Sequence, residues 1–396
     1  MIKISNKEAC CGCEACAQKC PKSCITMEFD EQGFLYPIVE ESQCIDCGLC
    51  ESVCPVIHQA SPRKPKKIYG AINHNEQIRL DSSSGGIFTA LAEIALDKGG
   101  KVWGAKFNEQ CEVVHDCVET IPALELLRGS KYVQSHIGLS FQKIKAELRK
   151  GKVVLFTGTP CQVAGLKRFL KDDYSNLYTI DFLCHGIPSP GVWKKYIEQQ
   201  FGKNARLKDI KFRDKTHGWE KYCFSLKQYF PKGKDSVKHI ERCNKNLYMR
   251  AFLHDLTLRP SCYNCPARSF KSGSDITLAD LWGAWRTLPE YNDNKGCSCV
   301  AINTEKGGQL FQCLGTSVSA KEISYKSAFV DYNYAATSNP KPNPNRQKFF
   351  SQYESISLNI LIPQLTKDPL KYVLKEHIRS LLEEIGLLDV MHKWKL

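Results

Sequence analysis

The sequence predicts a mixed α/β fold in two unequal parts, a small cysteine-rich module followed by a larger α/β domain. Three observations carry this. The run Cys10, Cys13, Cys16 and Cys20, closed by Pro21, returns as Cys44, Cys47, Cys50 and Cys54 with Pro55 behind it, each cysteine 34 residues further on. The stretch "QASPRKPKK", residues 59–67, is proline-rich and basic, which suits a linker. Beyond it, strand-like apolar segments alternate with helical ones, the rhythm of an α/β domain.

Taken in order, the first 58 residues carry two copies of C-x2-C-x2-C-x3-C-P. Three thiolates spaced this way wrap one face of an iron–sulfur cubane and send the fourth elsewhere. Zinc S4 sites also use C-x2-C, but they use two pairs and not two runs of four. The pattern resembles the bacterial two-cluster ferredoxin, in which the fourth cysteine of each run ligates the other centre. Carried over, one [4Fe–4S] cluster takes Cys10, Cys13, Cys16 and Cys54, and the other takes Cys44, Cys47, Cys50 and Cys20. Cys11 and Cys24 fall outside the pattern and read as bystanders. Between the half-repeats, apolar residues alternate around Asp30-Glu31-Gln32-Gly33, which predicts a hairpin.

Length and charge bound the rest. A chain of 396 residues is too long for one ferredoxin. Its start lacks the charged and apolar regions of a secretory leader, so the expected compartment is the cytoplasm, with reduced thiols. No apolar run nears the roughly 20 residues a membrane span needs. The formal net charge of +13 suggests nucleic acid only until cofactors are counted. Each four-thiolate [4Fe–4S] centre would add about −2 and so lower it. The Lys and Arg residues are also scattered, so no nucleic-acid partner is expected.

In residues 68–340, "IYGAIN" reads as a strand, "LDSSSGG" as a turn, "IFTALAEIALDKGG" as a helix and "KVWGAKF" as a strand. Ser82 to Gly86 would thus present backbone amides and a helix N-terminus to an anion, or simply cap the helix and make the turn. "KVVLFTGTPCQVAGLKRFL" gives strand, tight turn and helix, with Cys161 beside Pro160, and "LYTIDFLCHG" gives a strand ending at Cys184. If those strands are parallel neighbours, both cysteines lie at the carboxyl edge of the sheet, where α/β proteins bind ligands. Cys262 and Cys265 of "RPSCYNCP" complete a set of four. That set suits a third [4Fe–4S] centre, a zinc site, a redox dithiol at Cys262 and Cys265, or a nucleophilic Cys161. Cys111, Cys117, Cys223, Cys243, Cys297, Cys299 and Cys313 read as core or surface residues. Residues 341–396 read as a helical extension for packing or partner contact.

The ordered set "SSSGGIFTALAE", "LRGSKYVQS", "FTGTPCQVAGLKRFL", "DFLCHGIPSPGVW", "FRDKTHGW", "RPSCYNCP" and "DITLADLWG" resembles the coenzyme F420 hydrogenase/dehydrogenase beta-subunit family, in the form carrying an N-terminal ferredoxin. The resemblance implies a ferredoxin-like 2[4Fe–4S] module followed by an α/β flavin-binding domain. It implies FAD contacts at Ser83, Ser84, Gly85 and Gly86, with Lys131 as the cation near phosphate or flavin. It also implies that Cys161, Cys184, Cys262 and Cys265 ligate a flavin-proximal cluster. The expected activity is oxidoreduction, with electrons passing between iron–sulfur centres and a coenzyme F420-like hydride donor or acceptor through FAD, and with a redox partner protein. The resemblance does not fix the hydride substrate or any catalytic residue. The alternative is a non-catalytic ferredoxin-type electron-transfer subunit of a larger redox complex.

Overall fold

The computed structural model describes residues 1–230, 236–367 and 378. The first strands, β1 (Ile25–Phe29) and β2 (Leu35–Val39), form the expected hairpin, with Ile25 opposite Val39. Its turn is held by Asp30, whose carboxylate accepts from the Gln32 and Phe34 amides at 3.1 and 2.9 Å. Gly33 adopts φ +75° there, and its Cα lies so close to Gly191 that a Cβ would sit 2.5 Å from the Gly191 Cα. Only glycine satisfies both demands.

The main sheet has eight strands. They are β3 (Lys67–Asn73), β4 (Lys101–Phe107), β5 (Val113–Val118), β6 (Val154–Gly158), β7 (Leu177–Phe182), β11 (Ile276–Asp280), β12 (Ser298–Ile302) and β13 (Val318–Glu322), in the order β13-β3-β12-β11-β7-β6-β4-β5. The inner four, β11, β7, β6 and β4, are parallel, and antiparallel strands flank them. A second sheet of β8 (Arg206–Asp214), β9 (Cys223–Tyr229) and β10 (Val237–Arg242) is antiparallel throughout.

Two sequence expectations change here. The strand–turn–helix–strand unit exists, but a short helix, Glu76–Asp81, precedes its turn, and β3 and β4 are separated by four strands contributed later in the chain. The extension after residue 340 is partly core: Phe349, Tyr353, Leu358, Leu361 and Ile362 are buried with Trp193 and Tyr248. The remainder of the expected helical tail, 368–377 and 379–396, lies outside the described residues. Among the described residues no helix is long and apolar enough to cross a membrane.

The cysteine-rich module is not a tethered bead. Cys11, Cys13, Ala15 and Val53 are buried in one apolar cluster with Phe141, Phe156, Val163 and Leu166 of the body. Polar contacts reinforce the contact. The Glu14 carboxylate, 3% exposed, accepts from the Ile137 and Gly138 amides at 2.7 and 3.0 Å and pairs with His136 Nδ1 at 2.9 Å. Gln18 Oε1 accepts from the Phe141 amide at 2.9 Å at the start of helix Ser140–Arg149.

The internal repeat departs from symmetry where the body touches it. Glu14 is left-handed at φ 59°, and its counterpart 34 residues on, Gly48, has φ 68°. Gly12, at φ 68°, corresponds to Asp46 at φ 50°. A Cβ on Gly12 would fall 2.4 Å from Gln134 Nε2 and 2.8 Å from Arg259 Nη1, whereas Asp46 faces solvent and pairs with the N-terminal ammonium at 2.9 Å.

Candidate iron–sulfur and flavin site

The eight cysteines of the repeat line two separate cavities. One, of about 350 Å³, is lined by Cys20, Cys44, Cys47 and Cys50, and the other, of about 330 Å³, by Cys10, Cys13, Cys16 and Cys54. Each cavity therefore draws three thiols from one half-repeat and the fourth from the other. The short helices Ala15–Lys19 and Leu49–Ser52 position Cys16 and Cys50, and backbone amides already approach two sulfurs, Ile2 N to Cys50 and Asp46 N to Cys44, both at 3.4 Å. Donors of this kind stabilise thiolate charge. Burial, then the neighbouring Cys10 and Cys54, raise the Cys16 thiol above its usual range. Four repeat thiols ringing each cavity fit a multi-iron cluster. Cys24 also lines the larger cavity, its sulfur 3.4 Å from that of Cys20.

The carboxyl edge of the main sheet gathers the second cysteine group. β6 and β7 are parallel neighbours joined by helix Pro160–Leu170, so Cys161 and Cys184 follow adjacent strand ends. Thr159 caps that helix in a capping box with Gln162, and Pro160 takes the first helical position, which fixes where Cys161 stands. Cys262 and Cys265 come from the turn Pro260–Asn264 and its cap. The four thiols lie within electrostatic reach of one another: burial raises Cys184, and the charges of Cys262, Cys161 and Cys265 raise it further, although among the described residues no three such side chains stand in metal-holding geometry. Burial and Cys265 likewise push Cys262 up to about 12. The Ile187 amide donates to Cys262 Sγ at 3.4 Å.

Sequence reasoning missed what lies between the two groups. Cys11 is buried with Cys13 in the apolar cluster against which Cys161 packs. Helix Pro160–Leu170 also brings Gly165 against Cys13, where a Cβ would sit 2.9 Å from the sulfur. Arg259, 1% exposed, fills the remaining space. No spacing rule points to a single arginine, although its place three residues before Cys262 is a retrospective cue.

The serine–glycine turn reaches the same edge, because β12 starts there. Ser84 Oγ donates to the Cys297 carbonyl at 2.8 Å, and the Gly85 amide donates to Ser298 Oγ at 2.9 Å. Ser83 Oγ accepts from the Ser130 amide at 2.8 Å, joining this turn to the loop carrying Lys131. Three of the groups expected to face a phosphate, those of Ser83, Ser84 and Gly85, are thus engaged within the fold. What stays open is helix Ile87–Asp97, whose N-cap Gly86, φ +83°, supplies no side-chain cap. Among the described residues Lys131 donates to the Arg128 and Gly129 carbonyls, at 3.0 and 3.3 Å, and desolvation, then Arg128, hold its pKa down at about 7. A half-buried ammonium with neutral partners fits an anionic ligand. Nearby, Trp219 stacks on Trp282 at 4.7 Å, and Arg213 and Trp219 both donate to Asp280, at 2.9 and 3.1 Å.

Residues 151–326 match the family described as the C terminus of the beta subunit of coenzyme F420 hydrogenase/dehydrogenase, and residues 9–57 match the 4Fe-4S dicluster domain. The chain joins a 4Fe-4S dicluster module to a domain of the F420 hydrogenase/dehydrogenase beta-subunit family. Coenzyme F420-dependent sulfite reductase of Methanocaldococcus jannaschii is 26% identical over 320 residues, covering 78% of this chain and 46% of the relative, so the chain spans about half of that protein. The 7Fe ferredoxin of Hydrogenibacillus schlegelii is 45% identical over 51 residues, 12% of this chain and 59% of the relative. A chain of the F420-reducing [NiFe] hydrogenase complex of Methanosarcina barkeri matches with a TM-score of 0.45 and 17% identity, over 69% of this chain and 88% of that one, a likeness too distant to carry an argument. The dicluster match spans all eight cysteines that line the two cavities.

Proposed function

We propose that this chain is an iron–sulfur flavoprotein oxidoreductase that exchanges electrons between three [4Fe–4S] clusters and a hydride-type substrate such as coenzyme F420. The ligand sets are Cys10/Cys13/Cys16/Cys54, Cys44/Cys47/Cys50/Cys20 and Cys161/Cys184/Cys262/Cys265. One observation supports the reading: the eight repeat cysteines line two cavities, and Cys11 and Cys13 beside the second are buried in the apolar cluster against which Cys161 of the third set packs. Bound FAD would supply the conversion between a two-electron hydride and single electrons that such a series requires. The residues offered for it are Ser83, Ser84, Gly85, Gly86 and Lys131. Of these, Lys131 contributes charge, Gly86 leaves the helix N-terminus open, and Ser84 and Gly85 anchor the turn to β12. A redox partner protein would meet the module at its outer half, where Cys47 is exposed.

A second reading has its own support, because the Ser84 hydroxyl and the Gly85 amide are satisfied without a ligand. It is an electron-transfer subunit without flavin. The separating experiment is anaerobic purification with iron, sulfide and flavin assays. About 12 iron atoms and one FAD per chain are expected, and Cys265→Ser should leave about 8 iron atoms with the ferredoxin signals intact. Stopped-flow mixing with reduced coenzyme F420 should bleach flavin before the clusters. Full iron without FAD would establish the second reading, and stoichiometric zinc in place of iron would overturn both.

A further inference from the structure

Arg259 is a guanidinium enclosed by the protein, and among the described residues none of its hydrogen-bond partners is a carboxylate. Nε donates to the Cys10 carbonyl at 2.8 Å, Nη1 to Gln134 Oε1 at 2.9 Å and Nη2 to the Leu35 carbonyl at 2.9 Å. The plane lies over the Tyr36 ring at 4.1 Å. Its ionisable neighbours include Cys10, Tyr36, Cys11, Cys262 and Cys161, and among the described residues its hydrogen bonds go to carbonyls, an amide and a thiol, with no carboxylate paired to it. Removing a cation from water without a counter-charge is prohibitive, and neutral acceptors do not balance it. The groups that can are thiolates: Nη2 stands 3.5 Å from Cys10 Sγ, and on the other side the guanidinium lies within electrostatic reach of Cys262, three residues on, and of Cys161. Cys10 belongs to one proposed cluster and Cys262 to the other.

We infer that Arg259 is the shared counter-cation of the two cluster sites on either side of it, a positioning residue that raises the reduction potential of both. The inference rests on the ligand sets proposed above. A four-thiolate [4Fe–4S] centre is anionic and gains a further negative charge on reduction, so a fixed cation at its ligand favours the reduced form. Placed between two centres, one cation moves both in the same direction. That keeps the gap between them narrow while lifting each relative to the outer centre at Cys20, Cys44, Cys47 and Cys50. Gly12 serves the same end, since any side chain there would collide with the Arg259 guanidinium.

The test is an anaerobic redox titration of the full iron-loaded chain followed by electron paramagnetic resonance. The variants are Arg259→Met, which removes the charge, Arg259→Lys, which keeps it, and Arg259→Met combined with Gln134→Lys, which moves it to the neighbouring side chain. In Arg259→Met the reduction equilibrium at the two flanking clusters should become at least tenfold less favourable, about 59 mV for a one-electron couple, with a smaller change at the outer cluster. Arg259→Lys should stay within threefold of the parent, and the double variant should recover part of the loss. Loss of iron in Arg259→Met that Arg259→Lys prevents would also support a counter-charge. Potentials unmoved in a fully loaded Arg259→Met chain would overturn the inference. So would equal iron loss in the Met and Lys variants without recovery in the double variant, which would mark Arg259 as packing alone. A parent chain lacking the third cluster would instead overturn the ligand assignment, an outcome the iron count reads directly.

Discussion

Replacing Glu14 tests whether the module is locked to the body. Its carboxylate receives two backbone amides and a histidine, all across the contact. Hydrogen bonds to a charged group contribute about 1.5 to 3 kcal/mol each and are not additive, so Glu14→Ala should weaken docking by about 3 kcal/mol. Alanine also keeps the left-handed backbone, which costs an L-residue about 1 kcal/mol. Glu14→Gly loses the same bonds but relieves that strain, as Gly48 does in the second half-repeat, and should be about 1 kcal/mol less damaging. Native-state hydrogen exchange at the Phe141 and Gln142 amides, which bond Gln18 across the same contact, reads the opening free energy directly. At about 1.4 kcal/mol per tenfold, Glu14→Ala should speed their exchange about a hundredfold, with Glu14→Gly several-fold slower than that. Exchange within threefold of the parent in Glu14→Ala, or a glycine variant that opens faster than the alanine one, would refute this account. The bond to Glu14 also raises the pKa of His136 against the opposing effect of burial. Protonated His136 therefore contributes fully below about pH 6.5 and its contribution fades as pH rises through the raised folded value. Glu14→Ala should erase that dependence.

The helix glycine Gly165 offers a sign reversal: alanine there would normally stabilise a helix by about 1 kcal/mol. With its Cβ 2.9 Å from Cys13 Sγ, Gly165→Ala should lower both melting temperature and iron content, and a gain in either would refute the close approach. Burial holds Lys131 at about 7, so the flavin-free chain should gain stability as pH rises from about 7 towards 10, the unfolded chain binding the extra proton there. Lys131→Met should flatten that rise in thermal scans and reduce FAD retention, and an unchanged pH profile would count against a desolvated ammonium. Gly33→Ala should destabilise the hairpin by more than 1 kcal/mol in chemical unfolding, because both its positive φ and its contact with Gly191 exclude a side chain.

The parts of the fold that could be read from sequence are those fixed by short-range chemistry. Each cysteine run has a spacing set by the cluster it would serve, and the hairpin between them is announced by Asp30 and Gly33. Likewise β6, its capped helix and β7 form one continuous unit whose neighbours in space are neighbours in sequence. The order of the other strands was not legible for the opposite reason: β3 belongs beside β12 and β13, and nothing within "IYGAIN" specifies partners more than 200 residues away. The sheet of β8 to β10 shows alternation in "CFSLKQY", but its lysines and arginines obscure it. Cys11 read as a bystander because motif spacing describes one site at a time, and its neighbour Cys161 comes from another element.

The unequal halves of the repeat have a consequence for modularity. Gly12 and Glu14 answer to Gln134, Arg259, His136 and the start of helix Ser140–Arg149, whereas Asp46 and Gly48 answer to solvent and the chain's own amino terminus. The module can therefore seat in one orientation only. Turning it by its internal pseudo-twofold would press the Asp46 side chain into the Arg259 pocket and leave Glu14 without partners. A free-standing ferredoxin transplanted onto this body would need those two positions rewritten before any of its cluster chemistry mattered, so the docking code is separate from the ligand code even though both occupy the same five residues, Cys10 to Glu14.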